Sequence, residues 1–569
     1  MTKCRRQMPS EIFSKYIGIF ECSVFGVVSI LFAVAPMYND IANAYFSAEF
    51  VFRFLASFII LFVSYAVLCF LFSKVKCRVK SKAVFANKQL DVTRKPKSVI
   101  LVACFMFALW LPYGLALYPG VVFFDTSFQL GQFFGTPNWD IFPMYEDASY
   151  TDHHPLFDTL LFGLFVKLGS VFFSANIGMF FYLLIQAVLT AVAFSYAIAY
   201  MRSKLNVSRN ACFAAIAFLA LCPVIPVFVF SMTKDSLFSW LYIIFLVHVI
   251  EIVRTRGEVF SCFGKMISII IVAILLGLTK KTGVYVVLLA FLFLCFFVKR
   301  QRLRLALSAF APLLVTALLL PMLVFPFLNV SPGSKVEMLG FFYQQTARYV
   351  VDYPNDVTLD EKEAISRVLD YDHLAERYAP GITNTIKNVG TGVNLWPSFS
   401  EIVDYFLVYV SQGLRHPDAY FNAVASLEAG WFDWTETMIL PTASGMSLAT
   451  QNGEPEIYRP AAVQEVTDKL SVCLGWIEKL PVLNLPLKMP LYAVVIPVFV
   501  SLYLRKTKSV LLPAMIPVWV SFLLLMVSPV SIAENVEAQR YLLPFIYSTP
   551  LLLMLCLCSR DGESAVEKT

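Results

Sequence analysis

The chain has 569 residues, of which 58% are hydrophobic and only 15% are charged, and its mean hydropathy is +0.70. Soluble domains carry about 25% charged residues, so this composition excludes an ordinary water-soluble protein and predicts a polytopic membrane protein. The net charge of +6 does not indicate a nucleic-acid partner, because the basic residues collect in short loops between apolar segments.

The first two apolar segments, residues 16–37 and 51–72, are predicted to cross the membrane. Four basic residues precede the first segment, which places the N-terminus in the cytoplasm by the positive-inside rule. Residues 73–98 carry nine Lys or Arg against one acid, so we expect a cytoplasmic loop. Residues 1–98 therefore form the first of four predicted regions.

Residues 99–327 are predicted to form a membrane core. Its first span, residues 99–118, leads to an acidic outer loop at residues 119–174. The basic loops that follow can all be cytoplasmic only if residues 155–174 do not cross the membrane. We therefore expect these residues to form an interfacial helix on the outer surface. Further spans are predicted at residues 175–200, 211–231, 237–253, 266–279, 284–298, 305–327, 490–504, 510–529 and 541–558.

Residues 328–489 separate the ninth span from the tenth. They hold eleven Lys or Arg against twenty Asp or Glu, which predicts a folded, mainly helical extracytoplasmic insertion. Thr358 to Glu361 and Ser398 to Glu401 have the pattern of capping boxes that open helices. Residues 490–569 supply the last spans and a short cytoplasmic tail. The predicted fold class is thus an all-α multi-pass protein of the cell membrane, with about twelve transmembrane helices and both termini in the cytoplasm.

The first candidate functional residue is Asp125, shortly after the third span. Pro119-Gly120 is expected to end that helix and return the chain across the mouth of the bundle, which puts Asp125 at membrane level. A partly desolvated carboxylate there suits a general base acting on an acceptor hydroxyl. The alternative is that Asp125 only caps a helix that starts at Thr126.

The second candidate is the sequence Asp152-His153-His154-Pro155, at the start of the interfacial helix. Asp152 with one of the histidines, His153 foremost, could supply two ligands of a metal ion or a proton relay. The need for a divalent cation stays open at this point. The alternative is a helix cap at Asp152 beside a solvent-exposed histidine pair.

The third candidate is Asp235, in a tight outer turn between two spans. Lys234 and Asp235 are adjacent there, and their simplest interpretation is an interfacial ion pair, which contributes little to stability. A functional role would have to be exerted at the membrane surface, because the turn is too short to reach further.

The fourth candidate is the pair Lys280 and Lys281. The apolar run before it has about 14 residues and is about 21 Å long as a helix, short of a bilayer core of about 30 Å. Its tip should therefore be recessed, and two adjacent lysines there favour a bound anion such as phosphate. The alternative is snorkelling toward lipid headgroups. Arg540 could add a bidentate phosphate contact or pair with Glu534 or Glu537.

The order of these parts resembles the C-type glycosyltransferase superfamily, membrane enzymes that use polyprenyl-phosphate sugars. More closely, the chain resembles an uncharacterised bacterial family of multi-spanning, glycosyltransferase-like membrane proteins. The residues that carry this closer resemblance are Pro119-Gly120, Phe124-Asp125-Thr126-Ser127, Asp152-His153-His154-Pro155, Thr233-Lys234-Asp235, Gln344-Gln345-Thr346-Ala347-Arg348 and His416-Pro417-Asp418-Ala419-Tyr420.

The resemblance implies roles for the candidate residues. Asp125 would be the catalytic base, and Asp235 the acid of the second outer loop. Metal-binding or acceptor-site roles would fall to Asp152 and to His153 or His154, and the donor-phosphate contact to Lys280 or Lys281. The superfamily often has two adjacent acids in the first loop, whereas Thr126 follows Asp125 here.

The sequence thus predicts an inverting glycosyltransferase-like enzyme at the outer membrane face. Its expected partners are a polyprenyl-phosphate-linked sugar, a cell-envelope glycan or lipid as acceptor, and membrane lipids. Two alternatives stay open: a transporter or flippase, and a polymerase or ligase of anionic lipid-linked saccharides. The repeated halves that are typical of many transporters are not visible in the sequence.

Overall fold

The computed structural model describes residues 17–83, 96–136, 148–388, 390–442, 456–527 and 536–558. Within these ranges the chain is almost entirely helical, and its strands are two residues long. The all-α class predicted from the composition is therefore confirmed.

Helices suited to a membrane dominate the fold. By length and composition, six helices of the described residues can cross a bilayer: Ile19–Asp40, Ala48–Val75, Ser98–Ala116, Ala175–Lys204, Lys234–Arg254 and Arg302–Leu328. Four shorter apolar helices accompany them: Arg209–Leu221, Phe263–Thr279, Lys281–Leu294 and Leu512–Leu525.

Some of these helices expose their apolar side chains. In the most apolar window of Arg302–Leu328 only 6% of the residues are buried, and in that of Ala48–Val75 only 22%. Continuous apolar surface of this extent would be unstable in water, whereas a bilayer accommodates it at no cost. The chain is therefore a membrane protein.

The predicted number of spans is confirmed only in part. Each of the six long helices overlaps a predicted span, but the other six predicted spans are shorter or interrupted. The predicted span at residues 211–231, for example, consists of Arg209–Leu221 and Val224–Val229, separated at Pro223. Proline lacks the N–H that would continue the helical hydrogen bonds across this point. Twelve crossings stay a prediction.

The membrane part consists of long and short helices with short connections between them. The α-helices are Ile19–Val34, Ile41–Ala44, Ala48–Ala83, Pro96–Ala116, Phe124–Phe134, Leu156–Phe172, Ala175–Lys204, Arg209–Leu221, Val224–Val229, Lys234–Arg254, Phe263–Thr279, Lys281–Leu294, Arg302–Ala309, Ala311–Leu313, Phe325–Leu328, Ile496–Lys506, Ile516–Leu525 and Leu543–Cys556. Leu314–Val324 and Leu491–Val495 are π-helical, and Ala35–Asp40, Glu258–Ser261, Leu512–Met515 and Val536–Leu542 are 3₁₀-helical.

A helix is present at the predicted place as Leu156–Phe172, and it packs closely on the following helix, Ala175–Lys204. Glycines permit the close approach, since a Cβ atom added at Gly169 would lie 2.4 Å from the Cα of Gly178. This packing fixes the first outer loop against the bundle. How deeply the helix lies in the membrane stays a prediction.

The insertion is helical, and its first part has an apolar core of its own, whereas Trp431 and Leu474 of its second part belong to the core of the membrane helices. Both predicted capping boxes are confirmed, at Thr358 with Glu361 and at Ser398 with Glu401. Buried Tyr343, Ile365, Leu369 and Tyr405 belong to its apolar core, among others. Its helices are Val336–Asp352, Pro354–Asp356, Leu359–Ser366, Tyr371–Arg377, Asn384–Lys387, Phe399–Arg415, Pro417–Leu427, Ala429–Trp431, Ala461–Lys479 and Leu485–Leu487.

Four short strands join these parts. Strand β1, Val121–Val122, pairs in parallel with β3, Ser231–Met232. Strand β2, Tyr150–Thr151, pairs in parallel with β4, Val330–Ser331, directly before the insertion. The two sheets hold the first outer loop beside the turn before Lys234 and beside the start of the insertion.

Candidate functional site

Paired strands position the acids of the first two outer segments. Val121 of β1 is in register with Ser231 of β3, and a helix starts two residues after the end of each strand. The hydroxyl of Thr126 donates a hydrogen bond of 2.7 Å to the carbonyl oxygen of Met232, which locks the two helix starts together. Asp125 and Asp235 therefore lie in the first turns of neighbouring helices, where the helix dipoles favour carboxylates.

Asp125 does not cap its helix. The helix begins at Phe124 with Phe123 at the N-cap position, so the alternative in which Asp125 caps a helix starting at Thr126 is wrong. Its carboxylate instead points to cationic side chains from distant parts of the chain.

Arg540 bridges the two carboxylates. Its Nη2 donates to Oδ2 of Asp125 at 2.5 Å, and its Nε donates to Oδ2 of Asp235 at 2.9 Å. The guanidinium group is nearly fully buried, as is the Asp235 carboxylate. The alternative partners of Arg540 proposed from the sequence, Glu534 and Glu537, have side chains outside the described part of the structure.

Two lysines complete the cluster. Nζ of Lys234 lies 2.8 Å from Oδ2 of Asp125, and Nζ of Lys280 lies 2.5 Å from Oδ1 of Asp235. The expected pairing of Lys234 with its neighbour Asp235 is therefore wrong: Lys234 reaches across to the first outer loop. The ring of Tyr541 stacks under Lys280, with its centroid 4.4 Å from Nζ.

Asp125, Lys234, Asp235, Lys280 and Arg540 are called the charged cluster below. Among the described side chains of the cluster, three cations face two carboxylates, which is a formal excess of one positive charge. Positive charge concentrated among mostly buried groups is costly, and a bound anion would lower that cost.

The electrostatics of Asp125 follow from these contacts. Burial by itself would raise the pKa of Asp125, but the charges of Arg540 and Lys234 outweigh burial and hold that pKa well below its usual range. In the ligand-free protein Asp125 is thus a carboxylate, fully ionised and weakly basic.

His154 adjoins the cluster through Lys234. Nζ of Lys234 donates to Nδ1 of His154 at 3.0 Å, because a protonated lysine has no lone pair to accept with. Burial and the charge of Lys234 lower the pKa of His154 well below its usual value, so the ring is neutral and carries its proton on Nε2. A neutral imidazole here adds no further positive charge to the cluster.

Asp152 and Lys281 form an outer layer. Nζ of Lys281 lies 3.1 Å from Oδ2 of Asp152, and both side chains are partly exposed. Burial raises the pKa of Asp152, with Lys281 opposing that effect. Of the two sequence-predicted lysines, then, Lys280 enters the charged cluster and Lys281 pairs at its rim. Pro155 is the N-cap of the helix that follows, so Asp152 does not cap it.

No metal centre is formed by the part of the chain that the structure describes. It contains no group of three His, Cys, Asp or Glu side chains that could hold a metal ion. Asp152 and His153, the candidate ligands, thus have no third ligand among the described residues, and Asp152 is engaged by Lys281.

Sequence reasoning missed Asp158. This carboxyl is fully buried in Leu156–Phe172, and neither oxygen has a hydrogen-bond partner among the described residues. Burial raises its pKa well above the usual range, with Asp235 adding to the effect and Lys234 opposing it. Asp158 is therefore a neutral acid close enough to the charged cluster to interact with it. A sequence signal existed, since an acid in an apolar helical run is a costly choice.

The two remaining motifs of the resemblance support the insertion and not the cluster. Gln344 donates to the carbonyl oxygen of Ala379 at 2.6 Å. His416 stacks on Tyr353 with ring centroids 3.7 Å apart. These residues fix the packing of insertion helices on one another.

The charged cluster draws on four separate segments of the chain. Its paired side chains are more deeply buried than those of the Asp152–Lys281 pair at its rim. Comparison with curated proteins and with solved structures gives no match. The profile of DUF6020, a family of unknown function, matches residues 12–569, so the chain belongs to that family.

Proposed function

We propose that the protein is a membrane glycosyltransferase that moves a sugar from a polyprenyl-phosphate donor to an acceptor hydroxyl at the outer face of the membrane. The observation that carries the proposal is the charged cluster, whose three cations exceed its carboxylates by one. Enzymes that expel a phosphate need fixed positive charge where the negative charge develops.

The proposed orientation rests on the distribution of charge along the bundle. Lys234–Arg254 is about 30 Å long by its helical rise and carries the cluster at its first turn. Its other end adjoins Arg254, Arg256 and Arg300, in short basic loops typical of the cytoplasmic side. This distribution favours an outer cluster, twelve spans and cytoplasmic termini.

The donor phosphate would bind where the cations are concentrated. Arg540 presents a planar fork suited to phosphate oxygens, while Lys280 and Lys234 add point charges. The incoming phosphate would compete with Asp125 and Asp235 for these groups. The five side chains of the cluster together carry one positive charge in excess. A bound phosphate therefore meets a net attraction and lowers the net charge of the site.

Asp125 would then act as the general base. Once phosphate draws Arg540 and Lys234 away, the pKa of the Asp125 carboxyl rises and the carboxylate becomes a better proton acceptor. Asp125 takes the proton of the acceptor hydroxyl while the hydroxyl oxygen bonds to the anomeric carbon. The bond from that carbon to the phosphate oxygen breaks, its electron pair stays on the oxygen, and polyprenyl phosphate leaves with inversion at the carbon.

Turnover by purified protein in nanodiscs tests the proposal. With polyprenyl-phosphate sugar and an acceptor, we expect free polyprenyl phosphate to accumulate, and Asp125→Asn to slow its release by at least about 100-fold. Glu376→Gln, at an exposed carboxylate of the insertion, is the matched control and should be fully active. Full activity of Asp125→Asn would remove the proposed base.

The same assay separates the alternatives. A flippase would move the intact lipid-linked sugar between leaflets and leave the sugar–phosphate bond uncleaved. A polymerase or ligase would consume lipid-linked saccharide chains and leave single-sugar donors untouched. Running the assay with and without a chelator decides whether a divalent cation takes part.

A further inference from the structure

An apolar cleft of about 240 Å³ opens between membrane helices and the insertion, and no residue of the charged cluster lines it. Its walls come from Ile19–Val34, Pro417–Leu427 and Ile516–Leu525. Apolar side chains, among them Val34, Val424 and Phe522, make up most of its lining. Among the described residues that line it, Glu428 alone has a polar side chain.

Glu428 is an unusual residue for such a wall. Its side chain is 2% exposed, its Oε2 accepts a hydrogen bond of 2.7 Å from Nε1 of Trp431, and its Oε1 has no partner among the described residues. Burial raises the pKa of Glu428 well above its usual value. The carboxyl is therefore neutral, and it carries a hydroxyl donor that needs an acceptor.

The cleft lies beside a helix that is long and apolar enough to cross a bilayer. Ile30 and Val34 are in the last turns of Ile19–Val34, whose continuation is fixed to the insertion by a hydrogen bond of 2.8 Å from Ser426 to the carbonyl oxygen of Tyr38. Ile30 and Phe421 are partly exposed at the mouth. In a bilayer crossed by this helix, the mouth would open near the boundary between acyl chains and headgroups.

A second feature of the insertion indicates contact with the bilayer. Phe399–Arg415 turns Tyr405, Phe406 and Tyr409 toward the insertion core. The apolar residues at every third or fourth position are exposed: Phe399, Val403, Leu407, Val410 and Leu414. Helices with an outward apolar face of this kind lie in membrane interfaces. Lys335, seven residues after Leu328, donates to the carbonyl oxygen of Pro397 at 3.1 Å, so this helix starts beside the end of a span.

We infer that the cleft binds one acyl chain of a glycerolipid, whose ester carbonyl accepts a hydrogen bond from the carboxyl group of Glu428. Sites for whole drug-sized ligands start at about 300 Å³, so the cleft takes a segment of one chain and leaves the remainder of the lipid in the bilayer. The ester carbonyls of the lipid lie at the depth of the mouth. This lipid site shares no residue with the charged cluster and does not depend on the proposed function.

Lipid binding to the full-length protein tests the inference. Purified protein in detergent is titrated with diacyl phosphatidylglycerol and with the corresponding diether lipid, and bound lipid is counted by native mass spectrometry. We expect one diacyl lipid per chain, and weaker binding of the diether lipid by about tenfold, because ether oxygens are poorer acceptors than ester carbonyls. Equal binding of the two lipids would overturn the contact with Glu428.

Three variants and a control examine the cleft itself. Ala425→Phe fills it and Glu428→Leu removes the donor, so each should weaken diacyl lipid binding by about tenfold or more. Glu428→Gln should bind as the wild type does, since the amide can accept from Trp431 and donate to the ester. Ala375→Phe, at an exposed position of the insertion, is the matched control.

Two outcomes would overturn the site. Unchanged lipid binding by Ala425→Phe would mean that lipid binds elsewhere, and a dimer mass without bound lipid would mean that a second copy of the chain covers the cleft. Should a variant fail to fold, the comparison of ester and ether lipids with the wild-type chain still decides the question.

Discussion

The guanidinium group of Arg540 donates a hydrogen bond of 2.5 Å to the carboxylate of Asp125, a residue 415 positions earlier in the chain. The same group donates to Asp235, so one cation joins the first turns of two helices, Phe124–Phe134 and Lys234–Arg254, to the segment before the last helix. The charged cluster is thus a structural junction as well as a candidate binding site.

Removal of Arg540 should destabilise the protein. Arg540→Gln leaves two largely buried carboxylates with one cation fewer, and breaking such a pair costs about 3–5 kcal/mol. We expect a clearly lower thermal midpoint in detergent. Arg367→Gln breaks exposed pairs with Glu363 and Asp404 and should leave the thermal midpoint nearly unchanged. Equal midpoints for both variants would show that the bridge contributes nothing to stability.

The two neighbouring lysines should differ in effect. Lys280 is largely buried against Asp235, whereas Lys281 is half exposed and pairs with Asp152 at the rim. Charges away from solvent interact more strongly and are screened less by salt. Lys280→Met should therefore raise the KM for the lipid donor far more than Lys281→Met does. A larger effect at Lys281 would place the phosphate at the rim.

The protonation of Asp125 predicts two different pH profiles. The cations of the free protein hold its pKa well below the usual value, so the acid limb of kcat/KM should lie below pH of about 4. With donor bound, phosphate occupies these cations, and the acid limb of kcat should move to higher pH. Coincident limbs in the two profiles would contradict the displacement of Arg540 and Lys234 by phosphate.

Asp158 should impose a pH dependence on stability. Its pKa is raised in the folded protein, so above a pH of about 4 the folded chain keeps a proton that the unfolded chain releases. Stability therefore falls as pH rises toward the folded pKa. The variant Asp158→Asn has no titrating group at this position, so it does not lose stability in this way. Its thermal midpoint should therefore rise relative to that of the wild type as the pH is raised. A constant difference across the pH range would mean that Asp158 is ionised in the fold.

Much of this site could be predicted from the sequence. The sequence predicts functional roles for four residues of the cluster: Asp125, Asp235, Lys280 and Arg540. Charged side chains at the ends of apolar helices cost free energy, so their presence indicates a function. The structure brings all four into one cluster. Their roles in catalysis stay predictions, since no relative or solved structure informs them.

The pairing within the cluster could not be predicted. Lys234 bonds with Asp125 and not with adjacent Asp235 because the pairing of β1 with β3 aligns the two helix starts, and a two-residue parallel pairing leaves no periodic signal in the sequence. The sequence does place Asp158 in an apolar helical run, but that its carboxyl is buried without a hydrogen-bond partner among the described residues is visible only in the structure.

The most direct test of the central claim is the affinity of the purified protein for polyprenyl phosphate compared with that for the parent polyprenol. A site built around an excess of positive charge predicts that the phosphate form binds at least about tenfold more tightly, and that Lys280→Met abolishes the difference. Equal affinity of the wild-type protein for the two lipids would contradict an anion-binding role of the charged cluster.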